Sequence, residues 1–161
     1  MERLWAPWRG EYVKSAGNEE DQGCLFCELQ KQDDEEALIL ARTELSFAVL
    51  NRYPYNSGHL MIAPFDHIGK FEEVPDTALL DMQQLMQRSI RALNEAMEPH
   101  GFNIGMNLGR VAGAGAPDHL HWHVVPRWNG DTNFMPAVGA VKVIPTELTE
   151  TLRNLRAVVQ D

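Results

Sequence analysis

Hydrophobic and polar positions along the chain fall into two periods. Residues 76–97 carry apolar side chains every three or four positions, at Leu79, Met82, Met86, Ile90, Leu93 and Met97. That spacing lays them on one face of a helix, with Pro75 and Asp76 as its start signal and Gly101 as its stop. Short apolar runs bounded by turn formers mark strands instead: residues 37–40, 47–50, 59–64, 102–108, 119–126 and 137–144. Arg42, Thr43 and Glu44 read as a hairpin turn between the first two, and residues 51–58 as a turn-rich connection. Pro145 and Thr146 open a terminal helix with Leu148, Leu152, Leu155 and Val159 on one side. Strands with one long helix and a terminal one give an α+β domain built on an antiparallel sheet.

Within that pattern, residues 119–126 stand out. His119, His121 and His123 alternate with Leu120, Trp122 and Val124. On an extended strand the three imidazoles share one face and the apolar side chains the other. Half of the six histidines fall within these five residues. The row reads as a catalytic array, a metal-binding strand or a merely polar face. The preceding loop carries Gly109, Gly113 and Gly115. It matches neither a Walker A nor a dinucleotide-binding pattern, but its glycines let backbone N–H groups approach phosphate oxygens. The methionines of the helix are core filler, and His100 beside the helix end is read as solvent-facing or capping.

Composition narrows the classes. The chain has 161 residues, of which 44% are hydrophobic and 23% charged, so it can build one core of ordinary size. We read it as one domain over 1–161, with an N-terminal arm 1–23, a core 24–136 and a C-terminal strand and helix 137–161. The arm holds Trp5 and Trp8, which are expected to be docked on the body or on a partner. A net charge of −9 argues against general nucleic-acid binding. No bilayer-spanning run and no secretory pattern are read, so no membrane association and a cytoplasmic location are expected. Cys24 and Cys27 form a lone C-x-x-C pair, half of a tetrahedral zinc site. The acidic run Asp33, Asp34, Glu35 and Glu36 is a solvated face.

The run H-L-H-W-H-V-V resembles the signature of the histidine triad (HIT) superfamily. The similarity extends to residues 51–59 (NRYPYNSGH) with His67 beyond, to residues 102–109 (FNIGMNLG) and to residues 126–134 (PRWNGDTNF). The last resembles the bacterial branch that includes diadenosine tetraphosphate phosphorylases and hydrolases. The resemblance implies a five-stranded antiparallel sheet with one long helix and a C-terminal helix, paired in a homodimer into ten strands. It implies a nucleotidyl hydrolase or transferase in which His121 attacks an α-phosphate and forms a nucleotidyl-imidazole. His123 would bond phosphate oxygens, with His119 and His59 supporting the row. Asn51, Asn107, Gly109, Gly113, Gly115 and Trp128 would meet the substrate. Neither a catalytic metal nor an organic cofactor is needed. Related proteins complete a structural Zn²⁺ site with two histidines, here His67 and His119 beside Cys24 and Cys27. One departure is Asp118: many members carry Ser, Thr or Gln near this position to assist the leaving group. A non-catalytic nucleotide-binding module and a metal-dependent hydrolase are the alternatives.

Overall fold

The computed structural model describes residues 23–132, 144 and 146–159. The tryptophan-rich arm and the strand expected over 137–144 therefore lie outside the described residues, apart from Ile144, which is in neither helix nor strand. Five strands form one antiparallel sheet: β1 (Ile39–Arg42), β2 (Ser46–Leu50), β3 (Leu60–Pro64), β4 (Gly101–Met106) and β5 (Trp122–Arg127). Their order across the sheet is β1-β2-β3-β5-β4. Among the described residues three α-helices accompany it: α1 (Leu25–Leu29), α2 (Asp76–Met97) and α3 (Leu148–Arg156). Among the described residues no helix is long and apolar enough to cross a membrane.

Each face of the sheet has its own apolar cluster, as a period of two requires. Leu50, Leu60, Ile62, Leu120 and Val124 point to α2 and meet Met82, Leu85, Met86 and Leu93. The opposite face, with Phe47, Val49, Met61 and Ala63, packs on Phe26 and Leu29 of α1. At ~1.5 Å per residue α2 runs about 33 Å, long enough to cross the sheet. Its buried line is centred on Met82, Leu85 and Leu93, while Leu79, Ile90 and Met97 are only half-buried flanks. Thr43 and Ser46 at the β1–β2 turn both donate hydroxyls to Asp81 Oδ2, pinning the hairpin to the helix. Leu152 and Leu155 of α3 are buried against the same cluster, and Arg156 donates to Ile39 O.

Several boundaries differ from the sequence expectation; β4 ends at Met106, short of residue 108, and the last helix begins at Leu148. Gly101 does not end α2; Glu98 does, in a left-handed conformation with its N–H bonded to Asn94 O, and Gly101 starts β4. β1 begins two residues later than the apolar run, because Leu38 takes a positive φ of 62° and Ile39 N–H turns back to Asp34 O. The ladder of β5 starts at Trp122, not His119. The Leu120 N–H goes to Ile68 O beyond β3, and His119 N–H to Ala116 O. Alternation survives all the same, with Leu120 in the α2 cluster and His121 against α1.

Candidate functional site

The site is built on the α1 side of the sheet, where β5 begins between β3 and β4. Cys24 caps α1 at its N-terminus and Cys27 lies three residues on, so both thiols share one side of the first turn. They face His119, which is fully buried. Its Nε2–H donates to Pro64 O at 2.9 Å, which leaves the Nδ1 lone pair directed at the cysteines. Cys24 Sγ is 3.2 Å from that nitrogen and Cys27 Sγ 3.6 Å. His67, exposed on the segment after β3, brings its Nδ1 to 3.4 Å from Cys27 Sγ. All four donor atoms lie within 4.8 Å of one another. Donors on a tetrahedron of ~2.0–2.3 Å radius are about 3.3–3.8 Å apart, so the set fits a two-cysteine, two-histidine metal site. Burial, reinforced by the neighbouring Cys24, pushes the Cys27 thiol up, and a cation would reverse that.

His121 faces the same side. Its Nδ1–H donates to His119 O at 2.9 Å, which fixes the tautomer and puts the lone pair on Nε2. The ring is 5% exposed, and burial holds its pKa below the usual imidazole range despite the opposing carbonyl contact. It is therefore neutral at pH 7. The Phe26 ring lies 4.7 Å from it, centroid to centroid, and His123 stands edge-on at 4.9 Å.

His123 is paired across to His59, fully buried just before β3, with His59 Nε2 and His123 Nδ1 2.9 Å apart. Tyr55 donates its backbone N–H to His59 Nδ1 at 3.1 Å. The Tyr55 ring packs on both imidazoles, 4.6 Å from His59 and 5.9 Å from His123. The turn carrying Tyr55 is tied to the far end of β5: Asn56 Nδ2 donates to Pro126 O at 3.0 Å and to Asp131 Oδ2 at 2.8 Å. Asp131 also accepts from the Arg127 guanidinium and from Trp128 N–H. The Arg127 hydrogen bond, above the other contacts, holds this carboxyl well below the usual carboxylate range.

The other residues expected at the site divide. Asn51 comes within 3.4 Å of His59 Nδ1 through its side-chain amide. Asn107 follows Met106, the register partner of Trp122, and so flanks the start of β5. Gly109 and Gly113, both at positive φ, bracket a short 3-10 turn, Arg110–Ala112, and Gly115 lies on the same loop. Trp128 stands apart: it follows the opposite end of β5, about 20 Å along an extended chain from His121, and its indole donates to Met97 O. Beside the loop lies an open cleft of 340 Å³ walled by Lys70, Leu108, Gly109 and Asp118. Lys70 is paired there with Glu73, and Asp118 adds a carboxylate, so the cleft does not have the charge of an anion site. Nor do all three triad rings converge on one point, since His119 is turned to Pro64 O and the cysteines. That geometry disfavours the expected alternative of a three-histidine catalytic metal. Sequence reasoning did not single out Phe26, Tyr55 or Asp131: Phe26 and Tyr55 meet the row from distant stretches, and Asp131 anchors the Tyr55 turn through Asn56.

This row, with His121 bonded to the carbonyl of His119 at the edge of β5, defines the class. The HIT domain pattern matches residues 32–130, and the chain belongs to the HIT family. It is 42% identical to the AP-4-A phosphorylase of Mycobacterium tuberculosis, over 96% of this chain and 83% of that protein. It is 30% identical to an adenosine 5′-monophosphoramidase of Schizosaccharomyces pombe, over 78% of this chain and 90% of that protein. Among solved structures, the zinc-bound histidine triad family protein of Mycobacterium smegmatis superposes with a TM-score of 0.69 at 27% identity, covering 85% of this chain and 93% of that one. The chain is a HIT-family enzyme.

Proposed function

We propose that this enzyme transfers a nucleotidyl group from a dinucleoside polyphosphate of the diadenosine tetraphosphate type, through a covalent adduct on His121. The observation that carries the reading is the His121 Nδ1–H bond to His119 O, on a buried ring. It leaves a neutral imidazole whose Nε2 lone pair can attack phosphorus without first losing a proton. As the Nε2–P bond forms, the bond from the α-phosphorus to its bridging oxygen breaks, and that oxygen departs with the rest of the polyphosphate chain. His123 and the backbone N–H groups of the glycine loop stabilise the charge that builds on the phosphoryl oxygens. Asn51 and Asn107 contact the nucleotide. A second acceptor, water or inorganic phosphate, then attacks the same phosphorus and returns His121 to its starting state. The identity shared with the M. tuberculosis AP-4-A phosphorylase supports phosphate as that acceptor.

Zn²⁺ held by Cys24, Cys27, His67 and His119 would be structural, cross-linking α1 and the His67 segment to the start of the row. The fit of the donor set and the zinc-bound M. smegmatis neighbour support it. With it in place, α1 keeps Phe26 against His121. The exposed β4, whose Asn103, Ile104 and Gly105 face solvent at the sheet edge, suits pairing with a second copy. Light scattering at twice the chain mass is the outcome this pairing requires.

The test is product analysis with diadenosine tetraphosphate, with and without inorganic phosphate. ADP and ATP formed only when phosphate is present identify a phosphorylase; AMP with ATP identifies a hydrolase. His121→Ala should abolish turnover and leave the fold unchanged by circular dichroism. Wild-type turnover in that variant overturns the reading.

A further inference from the structure

Two imidazoles joined by one hydrogen bond are ambiguous, because either ring can donate. His59 and His123 are such a pair, but the ambiguity ends at Tyr55. A backbone N–H only donates, and that of Tyr55 points at His59 Nδ1 from 3.1 Å. Asn51 reinforces it: its Oδ1 accepts the Tyr53 N–H at 2.9 Å, which turns its NH₂ group toward the same His59 nitrogen, 3.4 Å away. His59 Nδ1 must therefore accept, and the hydrogen of the neutral ring sits on Nε2. That Nε2–H donates to His123 Nδ1, so the hydrogen of neutral His123 sits on its own Nε2. In the reverse arrangement His59 would carry an Nδ1–H facing the Tyr55 N–H, donor against donor.

We propose that Tyr55 is a positioning residue: its amide sets the direction of the hydrogen bond from His59 to His123, so that His123 presents an Nε2–H beside the Nε2 lone pair of His121. Its ring, packed on both imidazoles, keeps the two in register. Asn56 holds the turn in place, accepting the His59 N–H at its carbonyl and binding Pro126 O and Asp131 with its side chain. The bearing on turnover rests on the nucleotidyl-transfer reading above; the tautomers do not.

The experiment is long-range ¹H–¹⁵N correlation on histidine-labelled protein, which separates protonated from unprotonated ring nitrogens at neutral pH. His59 and His123 are both expected as Nε2–H tautomers, and an Nδ1–H form at either overturns the proposal. Incorporating the α-hydroxy acid analogue of tyrosine at position 55 keeps the ring and replaces the amide N–H by an ester oxygen. That protein should show a mixed His59–His123 pair and a kcat lowered about 10-fold or more, with KM for diadenosine tetraphosphate within about threefold. Tyr55→Phe, which keeps the amide, should retain the tautomers. Unchanged tautomers and kcat in the ester protein refute the assignment. If the ester protein does not fold, the wild-type spectrum alone still decides. Expected tautomers in a wild-type enzyme that turns over no nucleotide would sink the functional reading and leave this one standing.

Discussion

Replacing Asp131 with asparagine keeps the shape of the side chain and removes its charge. In the wild type the carboxylate accepts from Arg127 Nε at 2.5 Å and from a second guanidinium nitrogen at 2.9 Å. It also accepts from Asn56 Nδ2 at 2.8 Å and Trp128 N–H at 3.2 Å. The Asp131 side chain is 7% exposed but that of Arg127 is 43%, so solvent screens the ion pair and discounts its share. Hydrogen bonds from the buried Asn56 amide and the Trp128 backbone to a charged acceptor contribute more. An overall loss of about 2–3 kcal/mol at pH 7 is expected. The sign with pH follows from the folded carboxyl lying below its usual range. Above the unfolded pKa of about 3.9 the stabilisation is complete, and it is lost as pH falls from there toward the folded pKa. One unit below, near pH 3, about 1.4 kcal/mol has gone. Urea unfolding of wild type and Asp131→Asn, both freed of metal by chelator, should therefore differ by about 2–3 kcal/mol at pH 7 and by roughly 1 at pH 3. Equal differences at the two pH values would refute the role of charge, and no difference at pH 7 would refute the anchor itself.

Gly58 has φ +72°, and a Cβ there would lie 2.8 Å from Met97 Sδ and 3.0 Å from Leu93 Cδ2. Gly58→Ala should destabilise by about 2–3 kcal/mol, whereas Gly130→Ala, at φ +79° with nothing within 4 Å, should lose only about 1–2 kcal/mol; equal thermal shifts would deny the contact with α2. Cys27→Ser should lower zinc content, measured by mass spectrometry of dialysed protein, and remove the drop in melting temperature that a chelator causes in the wild type. Wild-type protein that takes up no zinc under either condition would dismiss the metal site.

The sequence shows what is written in one stretch and hides what is assembled from several. α2 was legible because its apolar stripe repeats over many turns, and its observed span, Asp76–Met97, is the expected one. The one-sided histidine row was legible because alternation is a local property of β5 and the residues before it. The position of α1 was not. Five residues carry too little periodicity to declare a helix, and only the tertiary structure shows Phe26 seated on His119 and His121. The same holds for the bond from Asn56 to Asp131, which joins two stretches far apart in the chain. Trp128 follows the row closely along the chain, but the extended strand β5 carries it away from His121 within this chain, and its indole donates to Met97 O.

The four histidines around the row are held by backbone groups of two kinds. His119 gives its Nε2–H to Pro64 O and turns Nδ1 to the cysteines. His121 gives its Nδ1–H to His119 O and keeps the lone pair on Nε2. In both, an obligate acceptor fixes the hydrogen. In the His59–His123 pair an obligate donor, the Tyr55 amide, fixes the opposite sense. Carbonyls and an amide cannot exchange roles, so these tautomers are set by the backbone and not by pH. A lone pair at position 121 beside an N–H at position 123 is the combination that attack on a phosphate ester needs. Replacing the Tyr55 amide by an ester should therefore lower kcat while circular dichroism shows the sheet around it still folded.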